Sequence, residues 1–175
     1  MTAEIPQEGK VAERACSKLG PKLLVQVSKP DTPPETVIEM LLILSILVTR
    51  FSIYLADIHP SPISTLTPLL RHPRMAVRKR AVVALAQFLP SASQQTFDNL
   101  WDATVNPALG SKVALDHQRT IVSLLGAIAR YAPQRIGPVL QSVVAPIVTL
   151  SSRDDVELRE TCLQVRRTFP LPILD

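Results

Sequence analysis

Similar short segments recur along this sequence about every 40 residues. Arg78, Arg119 and Arg159 are spaced 41 and 40 residues apart, and each stands early in an apolar stripe with helical spacing. These stripes end alike, with an aromatic residue just before a proline: Phe88-Leu-Pro90, Tyr131-Ala-Pro133 and Phe169-Pro170. A period of about 40 residues with two helices in each unit is typical of HEAT and armadillo arrays, in which each unit packs only on its neighbours.

The composition favours stacked helices over a β-sandwich. Hydrophobic residues make up 46% of the chain and aromatic residues only 4%, so the core is aliphatic. The 16 prolines divide the chain into short helices, because proline cannot continue a helix. We predict an all-α fold, an α-solenoid of about four HEAT repeats in residues 10–170. The approximate repeats are 10–56, 58–90, 92–132 and 134–170, with a flexible N-terminus 1–9 and a tail 171–175.

Two details favour HEAT repeats over armadillo repeats. Proline recurs inside the predicted first helices, at Pro21, Pro68 and Pro146. The turn into the second helix leads to an apolar–arginine pair, as in Val77-Arg78 and Leu158-Arg159. The third unit matches less well, because Gln118 precedes its arginine.

The apolar patterns also predict which helix faces are buried. In the first helix the predicted buried stripe is Val11, Ala15, Leu19, Leu23 and Val27, with a kink or break at Gly20-Pro21. The second helix is apolar on several faces, so we expect cover on more than one side. We expect a break at Asn106-Pro107, and we place residues 79, 83 and 86–87 on the stripe that faces away from the core.

The positive charge is concentrated in one segment. No acidic residue stands between Asp57 and Asp98, whereas five bases do: Arg71, Arg74, Arg78, Lys79 and Arg80. We interpret Arg78, Arg119 and Arg159 as a structural row in which each arginine binds a turn or carboxylate of the neighbouring repeat. Arg71, Arg74, Lys79 and Arg80 are candidate residues for binding an acidic macromolecular surface, with a merely solvated face as the alternative.

No pattern in the chain indicates catalysis, a cofactor or a metal. His59, His72 and His117 have no histidine, cysteine or carboxylate at ligand spacing. There is no glycine-rich phosphate loop and no G-x-S-x-G elbow. We predict that Cys16 and Cys162 are buried, reduced thiols, and that Asp154-Asp155 neutralises the positive start of the last helix. We therefore expect a protein that is not an enzyme and needs no cofactor.

The chain has no predicted targeting or membrane segment. Residues 1–10 are polar, and the densest apolar run, Met40 to Val48, is far shorter than the ~20 residues of a membrane span. We expect a protein of the cytoplasm, the nucleus or both.

Several blocks resemble one family of HEAT proteins. The segment from Leu69 to Leu85, containing Pro-Arg-Met-Ala-Val-Arg-Lys-Arg, is similar to a repeat in the N-terminal part of the Cand family, the cullin-associated, neddylation-dissociated proteins. The resemblance continues at His59-Pro60, Arg135-Ile-Gly137 and Asp154 to Cys162, and extends more weakly over about residues 30–168.

The resemblance implies a function in ubiquitin ligation. Cand proteins are long HEAT solenoids that embrace unmodified cullin scaffolds of RING ligases and act as exchange factors for substrate-receptor modules, and neddylation of the cullin prevents their binding. The expected partners are thus a cullin and its RING subunit. The chain would be a fragment, a truncated gene model, or one part of a divided, fungal-type member completed by a separate C-terminal polypeptide. Two alternatives use the same basic segment: a nucleic-acid-binding HEAT array, disfavoured because no aromatic residues are interleaved with the bases, and a transport-type cargo adaptor.

Overall fold

The structure is a computed structural model that describes residues 7–55, 58–59, 61–110 and 112–169. These residues form α-helices joined by short turns and contain no strand. The α-helices are α1 (Gln7–Val27), α2 (Pro34–Phe51), α3 (Pro62–Leu66), α4 (Met75–Phe88), α5 (Gln94–Leu100), α6 (Asn106–Ala108), α7 (Leu115–Tyr131), α8 (Pro133–Ile136), α9 (Leu140–Ser151) and α10 (Val156–Thr168). Shorter 3₁₀ turns lie at Ser52–Tyr54, Thr67–Arg71, Leu89–Ser91 and Gly137–Val139, and a π turn lies at Trp101–Val105.

The helices stack as a solenoid, which confirms the predicted fold class. The second helices of successive units, α2, α4, α7 and α10, pack side by side in that order, and the other helices lie against them. One apolar core runs through the stack, and Leu41, Leu85, Leu125 and Leu158 from the four second helices all lie in it fully buried. At Gly126 the helices α7 and α10 approach so closely that a Cβ atom would lie 2.8 Å from Cγ2 of Val165.

Prolines and polar caps begin the helices. Pro34 and Pro62 occupy the first turns of α2 and α3, where the missing N–H has no helical partner. Asp155 caps α10 by accepting a hydrogen bond from the Leu158 N–H at 2.7 Å, which confirms the role predicted for this carboxylate.

The predicted break of the first helix is wrong, and its predicted buried face is correct only at Leu23 and Val27. Helix α1 runs unbroken through Gly20 and Pro21 and begins at Gln7, so residues 7–9 are helical rather than part of a flexible terminus. Val11 is 66% exposed, and Ala15 and Leu19 are exposed as well. In the first half of the helix the buried stripe is displaced by one residue, about 100°, from Ala15 and Leu19 to Cys16 and Gly20, because Gly20 lets Leu55 and Ile58 pack closely on the helix. This stripe comprises Cys16, Gly20, Leu23, Leu24 and Val27. Residues 1–6 and the predicted tail 171–175 lie outside the described residues.

Helix α2 packs against both α1 and α4, and Ile38 and Leu47 beside its buried stripe are partly buried on the core, but its outer face is not covered. Val37, Leu41, Leu44 and Val48 are buried against α1 and α4. The apolar residues of the outer face, Leu42, Ile43 and Ile46, are exposed. No helix in the described part of the chain packs on that face, so its apolar character does not produce burial.

The expected break at Asn106-Pro107 is also wrong. The helical path of α5 continues through the π turn into α6, and the Asn106 N–H donates to the carbonyl of Trp101, five residues earlier. A π turn widens the helix locally, and Pro107 then stands in the first turn of α6, where its missing N–H costs little.

Candidate partner-binding surface

The four candidate binding residues lie at and after the turn into α4. Arg71 ends a 3₁₀ turn, Arg74 immediately precedes α4, and Lys79 and Arg80 project from its first turns; all four are exposed. Arg74 is ion-paired with Glu35 at the start of α2. The pKa of Glu35 is lowered by a hydrogen bond from its own backbone N–H and by the nearby Arg74 charge. Arg74 thus also links two successive second helices.

The outward stripe of α4 is only partly as predicted. Lys79 is exposed and lines a groove beside α7 and α10. Ala86 is fully buried, and Gln87 is half-buried because its amide donates to Thr49 Oγ1 at 3.3 Å. The exposed stripe therefore ends before Ala86, where α2 and α4 come together.

Arg78 lies beneath this surface. Its Nη1 donates to the carbonyls of His72 and Pro73, each at 2.9 Å, and so holds the turn that precedes α4. Its Nη2 also lies 3.8 Å from the carboxylate of Asp116 at the start of α7. The side chain is therefore directed to its own turn and to the next unit.

Arg119 makes the corresponding contact between α7 and α10. Its Nη2 and Nε donate to the two carboxylate oxygens of Asp155, at 2.6 and 3.2 Å. Its Nη1 lies 2.8 Å from Glu157 and 3.2 Å from Asp116. These bonds raise the pKa of Arg119, and the Arg119 hydrogen bond followed by that of the Leu158 N–H lowers the pKa of Asp155.

Arg159 has weaker contacts than the other two. It is exposed, and its Nη2 reaches the carbonyl of Arg153 at 3.4 Å, within its own turn. Among the described residues, Arg78 and Arg119 thus reach a carboxylate in the following unit, whereas Arg159 contacts only the turn before its helix.

Gln118 is a structural residue that sequence reasoning missed. It is fully buried, its Nε2 donates to the Gly110 carbonyl at 2.6 Å, and its Oε1 accepts from Arg153 Nη1 at 2.9 Å. The side chain therefore ties the loop before α7 to the turn before α10. The sequence did distinguish this position, because Gln118 stands where the other repeats have an apolar residue before the arginine.

Arg135 is a second such residue, on the opposite side of the stack. Its Nη1 donates to Gln94 Oε1 at 2.6 Å, its Nη2 donates to the Ala92 carbonyl, and its guanidinium carbon lies 5.8 Å from the centre of the Phe97 ring. It fastens α8 to the start of α5. Nothing in the repeat pattern distinguishes this arginine.

Metal-ligating side chains and thiols were the candidates for chemistry among the described residues. They contain no cluster of three or more His, Cys, Asp or Glu side chains that could hold a metal ion, and no helix among them is long and apolar enough to span a bilayer. Cys16 and Cys162 are buried free thiols, as predicted. Burial raises both their pKa values, that of Cys162 to about 11, so neither is a ready nucleophile at neutral pH.

His117 makes the contact between α7 and the turn before α4 sensitive to acid. Both ring nitrogens are buried without a hydrogen bond of normal geometry. Burial lowers the pKa of His117 most, followed by the positive charge of Arg71 and, more weakly, that of Arg78. These effects together exceed the opposite effect of the Leu70 backbone, which raises the pKa. The folded state therefore binds this proton less readily than the unfolded chain, so the stabilising contribution is present above the ordinary histidine pKa of about 6.5 and is lost as the pH falls below it.

We expect the free energy of unfolding to fall between pH 7.5 and 5.5 in the wild-type chain and to fall less in His117→Gln. Urea titrations at the two pH values measure this difference. The exposed His59 provides the matched control, and His59→Gln should retain the wild-type pH dependence. Equal slopes for wild type and His117→Gln would contradict the assignment.

The stacked helix pairs and the polar links between them define a helical-repeat protein with an α-solenoid fold. The chain is 33% identical to cullin-associated NEDD8-dissociated protein 1 of Drosophila melanogaster over 172 residues, 95% of this chain and 13% of that protein. It is 33% identical to cullin-associated NEDD8-dissociated protein 2 of Mus musculus over 161 residues, 91% of this chain and 13% of that protein. The corresponding protein of Rattus norvegicus is 36% identical over 134 residues, 75% of this chain and 10% of that protein.

The chain is a homologue of one stretch of the cullin-associated NEDD8-dissociated proteins, and it spans 10–13% of the length of these relatives. No family model matches the sequence. Among solved structures, a computationally designed armadillo repeat protein for modular peptide recognition superposes with a TM-score of 0.46 and 13% identity, over 95% of this chain and 78% of that one. The fold class rests on the helix packing described above rather than on that superposition.

Proposed function

We propose that this chain is a non-enzymatic HEAT-repeat module that binds an unmodified cullin together with its RING subunit and so regulates the assembly of cullin–RING ubiquitin ligases. The observation that carries the proposal is the 33–36% identity to cullin-associated NEDD8-dissociated proteins over most of this chain. A separate polypeptide that supplies further repeats would complete the binding surface. Such partners would place the chain in the cytoplasm, the nucleus or both.

The exposed bases of α4 are the residues that we assign to partner binding. Lys79 and Arg80 form no hydrogen bond or ion pair within the part of the chain that the structure describes. They can therefore bind carboxylates of a partner without first breaking a contact within the described residues, at a cost in side-chain entropy and in desolvation. Arg71 lies just before the same helix, and Arg74 can contribute its remaining N–H donors beside Glu35.

The neighbouring carboxylates disfavour nucleic acid as the partner. Asp116, Glu157 and Glu160 line the same groove as Lys79. A phosphate backbone that followed this surface would meet these negative charges within a Debye length, about 8 Å at physiological ionic strength. A protein surface that carries both positive and negative side chains can avoid this repulsion.

The test is the affinity of the full chain for a purified cullin–RING heterodimer. We expect Lys79→Glu/Arg80→Glu to raise the dissociation constant about tenfold, equivalent to about 1.4 kcal/mol, because two attractive charges become repulsive. Arg166→Glu/Arg167→Glu makes the same charge change at exposed positions near the end of α10 and serves as the matched control. Its dissociation constant should remain within about twofold of the wild-type value.

Two further measurements decide between the candidate functions. The NEDD8-modified heterodimer should bind more weakly than the unmodified one. A duplex DNA of random sequence, titrated at several salt concentrations, should show no binding that falls steeply with salt. No measurable affinity for the unmodified heterodimer, under conditions in which a full-length relative binds, would refute the proposal.

A further inference from the structure

A groove runs along the surface of α7 between α4 and α10. Two depressions of ≈ 320 and ≈ 310 Å³ adjoin there. They share the side chains of Lys79, Val82, Ser123, Thr161 and Gln164. The two depressions are therefore parts of one continuous groove.

General helix-packing distances indicate how wide a chain this groove can accept. The middle of its floor is formed by the small α7 side chains of Thr120, Ser123 and Ala127. Larger α7 side chains line the rest, those of Asp116 and Arg119 in the first depression and those of Arg130 and Tyr131 in the second. Neighbouring helices pack about 8–10 Å apart, so α4 and α10, on either side of α7, lie about 16–20 Å apart. Subtracting about 5 Å for the side chains of each wall leaves ~6–10 Å, which is too narrow for a helix of ~10–12 Å.

The charges of the groove are not all satisfied by the chain itself. Arg78 and Arg119 are held by the turn carbonyls and carboxylates described above. Lys79 on the α4 wall and Glu160 on the α10 wall form no hydrogen bond or ion pair within the described residues, with each other or with any other group. The first depression therefore presents one available cation and one available anion on opposite walls, and Arg130 adds a second unpaired cation in the adjoining depression.

Uncharged polar groups lie between these two charges. Ser123 on the floor and Gln164 on the α10 wall also form no hydrogen bond in the described part of the chain. A hydroxyl and an amide can both donate and accept, as binding to a peptide backbone requires.

We propose that this groove binds an extended polypeptide segment in which an acidic and a basic residue are adjacent. Successive side chains of an extended segment point to opposite sides, so the acidic residue would face Lys79 while the basic residue faces Glu160. This inference goes beyond the proposed function, because it specifies the chemistry of the bound segment and does not require that the segment come from a cullin.

The test uses four fluorescein-labelled octapeptides with the same serine–alanine frame. Their central residues are Glu-Lys, Glu-Glu, Lys-Lys or Gln-Gln, and fluorescence anisotropy with the full chain at low salt gives each affinity. We expect the Glu-Lys peptide to bind at least about fivefold more tightly than the other three, as two exposed charge pairs allow. Equal affinities for the four peptides would overturn the proposal.

Exchanging the charges of the groove provides a stricter test. Lys79→Glu should prefer the Lys-Lys peptide and Glu160→Lys the Glu-Glu peptide, whereas the double variant should again prefer Glu-Lys. Both side chains are exposed, so these variants should fold, and Arg167→Glu serves as a control that leaves the order of affinities unchanged. An order that does not follow these exchanges would overturn the proposal.

The two proposals can fail separately. Suppose that Lys79→Glu/Arg80→Glu loses cullin–RING binding while the wild-type chain binds the four peptides equally. That result would refute only the peptide groove. Peptide selectivity that follows the charge exchanges, in a chain without affinity for the cullin–RING heterodimer, would support the groove and refute only the cullin-binding function.

Discussion

Replacing Arg119 with methionine is expected to lower the free energy of unfolding by about 2–3 kcal/mol, because charge-assisted hydrogen bonds in half-buried sites contribute about 1.5–3 kcal/mol each. Arg119 joins α7 to α10 through two bonds to Asp155, and the side chains of Arg119 and Asp155 are only 28% and 14% exposed. Methionine keeps the apolar stem and removes the guanidinium, so the loss reports mainly on the charged contacts. Chemical denaturation followed by circular dichroism measures the change.

Arg159 supplies the matched control for this prediction. It was expected on sequence to be equivalent to Arg119, but it is exposed and its nearest hydrogen bond spans 3.4 Å. Arg159→Met should therefore change the unfolding free energy by less than about 0.5 kcal/mol. A loss equal to that of Arg119→Met would show that the stem, rather than the ion pair, stabilises the helix contact.

A double-mutant cycle isolates the Arg119–Asp155 pair. Asp155→Asn removes the charge and keeps a side-chain oxygen that can cap α10. We expect a coupling energy of at least about 1 kcal/mol between the two substitutions, because directly bonded residues couple by 0.5–3 kcal/mol. Additive effects would contradict a direct contribution from the pair.

Replacing Gln118 with methionine is the second large expected effect, a loss of about 1–2 kcal/mol. Two hydrogen bonds disappear, one of them charge-assisted, and the gain from burying an apolar side chain of similar size offsets only part of that loss. Comparison of the repeats leads to the opposite expectation, since the matching positions hold Val77 and Leu158 and a substitution toward the repeat pattern commonly stabilises. The sign of the change therefore distinguishes the two arguments.

The control is Leu158→Met, the same product residue at the matching position of α10. Leu158 is buried among apolar groups, so this volume-conserving exchange should cost less than about 1.5 kcal/mol and alter no polar contact. Gln118→Glu adds a further comparison, because it keeps an acceptor for Arg153 and removes the donor to Gly110. Stabilisation by Gln118→Met would contradict the bridging role.

Local signals in the sequence were sufficient for the fold class. Proline positions and helical apolar periods depend on a few neighbouring residues, so they locate the helices and their pairing. The orientation of α1 about its axis was not predictable in this way, because the stripes containing Val11 and Cys16 are both apolar and differ by one residue. The contact of Gly20 with Leu55 and Ile58 decides between them, and that contact depends on the tertiary fold.

Of the residues at and around the candidate surface, only those that recur with the repeat period had a predictable role. The spacing of Arg78 and Arg119 indicated contacts between repeats, but the identity of their partners, Asp116 and Asp155, depends on how helices 36–38 residues apart are aligned. The groove was not predictable at all, because Lys79, Ser123 and Glu160 come from three different helices.

The ion pairs also bear on the curvature of the solenoid. They lie at the starts of the second helices, where Arg74 meets Glu35, Arg78 approaches Asp116 and Arg119 binds Asp155. The pitch of a stack of helix pairs is set by a small rotation between neighbours. This line of charges draws one edge together, and the contacts of Arg135 with Gln94 and Ala92 join two units at the other. We therefore expect the bend of the array, and with it the width of the groove on α7, to depend on ionic strength through the exposed members of these ion pairs.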